Sequence, residues 1–267
     1  MKVSKGNVPK QIPELRGTMA AMQFPAFVET KYDGEFSYVH YRKDKPSYTI
    51  NKYGTIRQDF IALNVLDEFI KNAHTIDNAL FLAELFYDEG YASQLYKLLS
   101  HKHDNALGLK IFDIAILNDQ AMNQDTLMDR KETLLNIFNH KPVKALLLVD
   151  PILVHEKTQA DDCFKTIVAL GYEGCVVKAC NSPLVLGPCA WVKLKHKDRT
   201  DYQVMMIDKT LERIEVEVRL PTFNKNCGLK VMNKDKATIK VGDWVTVEHQ
   251  GVLDTGGLRH PVYIKKA

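Results

Sequence analysis

The sequence predicts an α+β chain of two domains: a larger one in which strands outnumber helices, and a small one built of strands alone. Three observations carry this. Short strand patterns recur from about residue 24 to residue 195, interrupted by a few stretches with helical spacing. The seven residues from Lys195 to Asp201 are nearly all charged or polar, which marks a hinge. Beyond them Ile214, Val216, Val218 and Leu220 alternate with Glu215, Glu217 and Arg219, as a half-buried strand does.

Taken in order, residues 1–23, with Pro9 and Pro13, read as a lead-in with little regular structure. Strand patterns cover 24–31, 35–42 and 47–52. Ala62, Val65, Leu66, Phe69 and Ile70 recur three and four residues apart, so 59–72 is an amphipathic helix. Ala79 to Phe86 is a strand around Glu84, and 93–101 is helical. Leu107 to Leu117 is apolar enough for a buried strand. Helices follow over 127–140 and 159–170, with 145–154 extended between them. Cys175 to Lys178 is a short strand after a glycine-bearing turn, and Trp191 to Lys195 alternates as another. In the last part Val241 to His249 is a strand preceded by loops rich in Lys and Asn. About 68 residues of short strands fit a small barrel of the OB type.

Composition narrows the function. Length, 267 residues, allows one large or two modest domains, and 26% charged with 45% hydrophobic residues is ordinary globular usage. The net charge of +3 is unevenly placed. Residues 190–267 carry 15 Lys/Arg against 10 Asp/Glu, net +5, whereas 1–189 carry 21 against 23, net −2. A basic carboxy-terminal part suits a polyanionic partner, although solvated surface charge is the plainer alternative. The five cysteines include no C-x-x-C pair, which argues against zinc and for a reducing compartment. No apolar run is long enough to span a membrane and no signal core follows Met1, so a cytoplasmic protein is expected.

The chemistry centres on Glu29-Thr30-Lys31-Tyr32-Asp33-Gly34. Lys31 sits at a strand end beside an Asp-Gly turn, a position from which an amine with a lowered pKa can act as a nucleophile, although by this motif alone a surface lysine before a tight turn is the plainer alternative. Glu84 lies inside the apolar strand Phe81 to Phe86, where a carboxylate is costly unless paired. Such a carboxylate could bind a ribose hydroxyl or a metal ion, or it could face water from an edge strand. Glu173 and Lys178 flank the apolar residues Cys175 to Val177, a pair that could hold a metal and contact a phosphate, with a turn with solvated ends as the plainer alternative. Lys193 and Lys195 share a strand face, and an anion such as phosphate between them would relieve their repulsion. Phe112 could stack on a base, with a core aromatic as the plainer alternative.

Together these segments resemble the covalent nucleotidyltransferases, and among them the ATP-dependent DNA ligases. Lys31-Tyr32-Asp33-Gly34 resembles motif I, whose lysine becomes adenylylated, and Glu29 matches a position that helps hold the adenine. Leu82 to Leu85 is similar to motif III, with Glu84 contacting ribose and metal. Phe112-Asp113-Ile114 resembles the segment whose aromatic stacks on adenine. Glu173-Gly174 with Lys178 is similar to motif IV, and Lys193-Leu194-Lys195 to motif V, whose lysines contact the α-phosphate. Gly256 to Tyr263, with Arg259, is similar to the G-x-L-R-x-P-x-F segment that ends the OB domain of DNA ligases.

The resemblance implies an adenylation domain of antiparallel sheets with flanking helices over 1–197 and an OB domain over 198–267. It implies a two-domain, monomeric DNA ligase using ATP and Mg2+ or Mn2+, the metal on Glu84 and Glu173, to seal nicks in double-stranded DNA. RNA ligases and capping guanylyltransferases share the K-x-D-G core and are the alternatives, with a non-catalytic nucleic-acid-binding protein as another class. There are departures from the ligase pattern. Phe36 stands where many DNA ligases carry an arginine, and Lys52 where motif Ia carries one. Arg42, Lys52 and Arg57 are therefore the candidate DNA contacts, with Arg259 in the small domain.

Overall fold

Apolar runs and alternating stretches become strands almost throughout. The computed structural model describes residues 12–73, 75–87, 107–138, 146–208, 213–219, 224–231, 238–253 and 256–267. The chain divides into two compact units, residues 1–194 and 195–267.

In the first unit the apolar run becomes β7 (Leu107–Leu117), lying antiparallel to β6 (Asn78–Tyr87). β6 pairs with β3 (Glu35–Arg42), β3 with β4 (Lys45–Asn51), and β4 with β5 (Ile56–Arg57), all antiparallel. Two short strands, β8 (Gln120–Ala121) and β9 (Leu146–Leu148), also pair with β7, the second in parallel. Helix α1 (Ile61–Ala73) covers one face of this sheet. Its Ala62, Leu66 and Ile70 are buried with Val39, Phe81 and Leu109, as their spacing required. Leu66 and Ile70 are fully buried, and each removal from water contributes roughly 2 kcal/mol.

A second sheet has the order β10 (Ile152–Val154), β2 (Ala26–Thr30), β11 (Gly174–Ala179), β13 (Val192–Lys195). Val28, Val177 and Val192 point one way, against Ala160 and Ile167 of a helix at Lys157–Ala169. Side chains alternate, so Glu29, Val176, Lys178 and Trp191 point the other way. There Val176 and Trp191 join Tyr38, Leu80 and Leu82 of the large sheet in one apolar cluster. The two sheets thus face each other, and chemistry placed on those inner faces is sheltered. Helix α2 (Leu127–Phe138) packs beside β7. The helix at Lys157–Ala169 is α3.

The lead-in is more ordered than its two prolines suggest. Pro13–Leu15 forms β1, parallel to β12 (Gly187–Cys189). Parallel neighbours this far apart leave no local pattern in the sequence. Gly17 continues the contact so closely that a Cβ would lie 1.9 Å from the Ala190 carbonyl oxygen. The helix expected at 93–101 lies outside the described residues.

The second unit is a five-stranded antiparallel sheet in the order β16 (Asn224–Lys230), β15 (Arg213–Arg219), β14 (Asp198–Asp208), β17 (Trp244–His249), β18 (Val262–Lys266). Ile214, Val216 and Val218 are buried with Val245, Val247 and Leu229, as the alternation required. The hinge expected at 195–201 is shorter than its charge suggests, because strand β14 already begins at Asp198. Its charges are paired across the sheet: Lys197 and Arg199 both reach Glu248, and Thr246 donates to Asp201 at 2.7 Å. A run of charge signals solvent only when no complementary charges face it.

Candidate active site

Strand β2 ends at Thr30, and its register with β11 fixes the position of the next residue. Cys175 lies opposite Thr30, and the Lys31 backbone N–H donates to the Gly174 carbonyl at 2.9 Å. Lys31 and Glu173, far apart in sequence, therefore leave adjacent strands side by side. The Lys31 ammonium donates to Glu173 Oε2 at 2.6 Å, with the lysine partly open to solvent and the glutamate buried.

Glu84 reaches the same point from β6, opposite Phe36 of β3. The turn at Gly34 has to press against this strand. A Cβ on Gly34 would lie 2.2 Å from the Leu85 carbonyl oxygen and 2.9 Å from Glu84 Cγ. Glycine is thus required for close approach, with the Gly34 N–H donating to the Glu84 carboxylate. Burial pushes the Glu84 carboxyl up to about 7, Asp33 and Glu173 add to this, and Lys31 and the Gly34 N–H oppose it. Tyr32 anchors the turn from below, edge-on to Tyr172 at 5.9 Å and tilted on Phe86 at 6.3 Å, with the Lys110 ammonium 4.7 Å from its ring centre.

A second cluster of charges lies behind this one and is wholly buried. Glu29 on β2 receives Lys178 from β11 and Lys131 from α2, each at 2.6 Å. Burial alone would raise the Glu29 carboxyl, but the two lysines outweigh it and hold it below the usual range. Burial lowers the Lys178 ammonium despite Glu29. Lys178 also lies over the rings of Phe112 and Trp191, at 4.6 and 4.1 Å from their centres. Lys131 donates to the Phe112 carbonyl at 2.7 Å. One residue along β7, Asp113 takes a two-point bond from Arg130 at 2.7 and 3.1 Å, with neither side chain exposed. Arg130 is capped by the Asp125 and Ser182 carbonyls at 2.6 and 3.3 Å.

The structure thus brings Lys31, Glu84 and Glu173 together, with Asp33 added. Phe112, Glu29 and Lys178 form a neighbouring group, in which the Glu29 carboxylate is turned to lysines instead of facing open space. Lys193 and Lys195 share one face of β13, the strand beside β11, with Lys193 exposed. Among the DNA candidates, Arg57 is committed to Glu35, which it binds at 3.1 Å through both Nε and Nη2. Arg42 closes the opposite end of β3 from Glu35, roughly 20 Å along the strand, on a cavity of about 380 Å³ with Lys45 and Lys71. Lys52 is exposed, and Arg259 is half-buried on the loop before β18. Sequence reasoning missed Lys131 and Arg130. The available signal was that both fall on the helix face defined by Leu127, Leu134, Ile137 and Phe138.

A divalent cation suits this donor set. Glu84 and Glu173 are hard oxygen ligands, and positive charge between them is already supplied by the Lys31 ammonium, which pairs with Glu173 and acts on Glu84. Among the described residues no group of three or more His, Cys, Asp or Glu side chains is placed to hold a metal ion. Mg2+ needs none, because it keeps waters and shares its shell with substrate phosphates.

Comparison with known proteins gives consistent results. No curated protein matches the sequence. A structure from a study titled "DNA binding with a minimal scaffold", on Lig E DNA ligases, covers 96% of this chain and 99% of its own at TM-score 0.70 and 15% identity. The ligase domain of M. tuberculosis LigD covers 96% and 95% at TM-score 0.59 and 16% identity. The ATP-dependent DNA ligase of bacteriophage T7, in complex with ATP, covers 98% and 100% at TM-score 0.58 and 15% identity. The same mostly antiparallel architecture is therefore shared. Among the described residues no helix is long and apolar enough to cross a membrane. The family model of the ATP dependent DNA ligase domain matches residues 9–195, so the chain belongs to that family and is a nucleotidyltransferase of the DNA ligase type.

Proposed function

We propose that the protein seals nicks in duplex DNA at the expense of ATP, with Lys31 as the covalent nucleophile. The observation that carries this is the meeting of Lys31 and Glu173 at 2.6 Å, with Glu84 and Asp33 beside them. In the first step the Lys31 amine attacks the α-phosphorus of ATP, an N–P bond forms, and pyrophosphate leaves. The adenylate then passes to the 5′-phosphate at the nick and frees Lys31. Attack by the 3′-hydroxyl on that phosphorus closes the strand and releases AMP. Each step is in-line phosphoryl transfer, in which positioning and charge neutralisation supply most of the catalysis.

The residues divide the work accordingly. Glu173 holds the Lys31 ammonium in place and is the adjacent acceptor for the proton that must leave before attack. A divalent cation on Glu84 and Glu173 would neutralise phosphate charge and, by drawing Glu173 away, favour the neutral amine. Lys193 and Lys195 supply cations on the strand beside β11 for the α-phosphate. Phe112 offers a ring for the base, fixed on its other side by Lys178. The second unit serves as the OB domain, with Arg259 on the DNA.

The test is labelling. The protein is incubated with Mg2+ and labelled ATP, GTP or NAD, and the modified residue is located by mass spectrometry. ATP alone should give one acid-labile adenylate on Lys31, absent from Lys31→Ala, and the labelled protein should seal a nicked duplex. Labelling by GTP would point to a capping enzyme, and labelling that survives Lys31→Ala would sink the assignment.

A further inference from the structure

The two segments that carry Lys31 and Glu173 meet twice. The β2–β11 ladder closes with the Lys31 N–H on the Gly174 carbonyl, and the Lys31–Glu173 ion pair follows it. One residue further out on each segment, Tyr32 meets Tyr172 edge-on, with ring centres 5.9 Å apart. Both rings are anchored. Tyr172 follows Gly171, whose φ of 88° turns the chain out of α3, and its own N–H donates to the Ile167 carbonyl of that helix at 3.2 Å. Tyr32 leans on the large sheet instead. Its ring is tilted on Phe86 of β6 at 6.3 Å, and the Lys110 ammonium lies 4.7 Å from the centres of both rings. Lys110 leaves β7 directly opposite Glu84, beside the reacting groups.

The two contacts do not share a fate in the reaction. When Lys31 takes the adenylate, its nitrogen becomes a neutral phosphoramidate, and the charge that Glu173 held is gone. The paired rings and their cation have no part in that chemistry and survive it. The adenylate must then be presented to a second substrate by a turn that has lost its tie to Glu173.

We propose that Tyr32, Tyr172 and Lys110 form a clasp that holds the Lys31 turn in place once the adenylate is on it, and so act as positioning residues for transfer of the adenylate to the nick. This rests on the nick-sealing reading above. In that transfer an oxygen of the 5′-phosphate attacks the adenylate phosphorus, the N–P bond breaks, and the lysine nitrogen takes a proton from water. A ring under an ammonium and edge-on to a second ring resists displacement without any charge on Lys31. Before adenylylation the ion pair does the same task, and the clasp is redundant.

The test compares two rates in each protein: self-adenylylation with ATP and Mg2+, and loss of label from the preformed enzyme adenylate in a single turnover at saturating nicked duplex. Lys110→Met and Tyr172→Leu should each take label nearly as fast as the parent but pass it on roughly tenfold more slowly, the size of a cation–π or aromatic-pair contact. Tyr172 is 43% exposed, so its replacement leaves the core intact. Lys110→Arg and Tyr172→Phe should match the parent in both steps. Lys110→Met added to Tyr32→Leu should slow transfer no further than Tyr32→Leu alone, because the ammonium acts through that ring. Equal slowing of both steps marks a merely structural role and overturns the proposal. So does a variant that takes no label, or a slower transfer that vanishes at saturating duplex. A parent protein that takes no label from ATP fails the nick-sealing reading itself. One that is labelled and seals, with both variants transferring at its own rate, fails this inference alone.

Discussion

Lys131 on α2 and Glu29 on β2 meet at 2.6 Å with both side chains only 3% exposed. Lys131 also holds the Phe112 carbonyl, so one ammonium joins the strand that leads to Lys31 with the ring offered to the base. Lys131→Met keeps the bulk and removes the charge, leaving Glu29 half-satisfied in the interior. Breaking a buried pair in this way costs about 3–5 kcal/mol, and the surviving Lys178 contact keeps the loss near the lower figure. Urea unfolding should show it, and the KM for ATP in self-adenylylation should rise more than kcat falls. Lys131→Arg should recover most of both. An unchanged unfolding midpoint in the Met variant would remove the pair from the account of stability.

Gly34→Ala should be among the most damaging single-methyl changes in the chain. The added carbon would lie 2.2 Å from the Leu85 carbonyl oxygen, which is backbone and cannot swing aside. Either the turn lifts away from β6, carrying Lys31 from Glu84, or the strand shifts. The expected result is self-adenylylation reduced at least about a hundredfold, since an ångström of misplacement costs that much. Near-normal labelling of Gly34→Ala would show that the turn has slack.

His40 gives the fold a pH dependence unrelated to catalysis. It is 1% exposed, stacked on Tyr48 at 4.6 Å, with neither ring nitrogen hydrogen-bonded. Burial, helped by Arg42, lowers its pKa from 6.5 to about 4. The folded protein therefore refuses a proton that the unfolded chain accepts, and stability is lost as pH falls from 6.5 towards 4. Between pH 7 and 5 this contributes roughly 2 kcal/mol. His40→Phe should flatten that part of the stability profile by the same amount. Identical slopes in the two proteins would place the pH dependence elsewhere.

The cation reading has a test apart from turnover. Mn2+ binding can be followed by electron paramagnetic resonance without nucleotide. Glu84→Gln and Glu173→Gln should each weaken it at least about tenfold, because even losing a group that only orients a ligand costs that much. Unchanged Mn2+ affinity in both variants would move the cation to another site.

The strands and helices were largely legible because periodicity is local. α1 follows from Ala62, Leu66 and Ile70, and β15 from Ile214 to Val218. Lys31, Glu84 and Glu173, on three separate segments, stood out because each is a charge at the end or middle of an apolar strand. The Lys131–Glu29–Lys178 group was not. Charge on a helix reads as a solvated face unless its phase is compared with that of the leucines. The β1–β12 pairing and the charges of β14 escaped for a related reason, since their partners lie far along the chain. The Glu35 partner of Arg57 was not legible either, because nothing local reveals that it faces the arginine.

The buried charges at residues 29, 131 and 178 also bear on how such a protein can change over time. Three ionic groups share one dry space: removing Glu29 strands both lysines there, and removing either lysine leaves Glu29 half-satisfied, without water to solvate what is left. Neighbours coupled this tightly depart from additivity by up to about 3 kcal/mol. A drifting lineage would therefore find no harmless single step out of the arrangement. Replacements at these three positions should appear in relatives as concerted sets, with an apolar trio as the alternative solution. Intermediates with only one of the three replaced should be rare, and in the laboratory replacing the other two should rescue them.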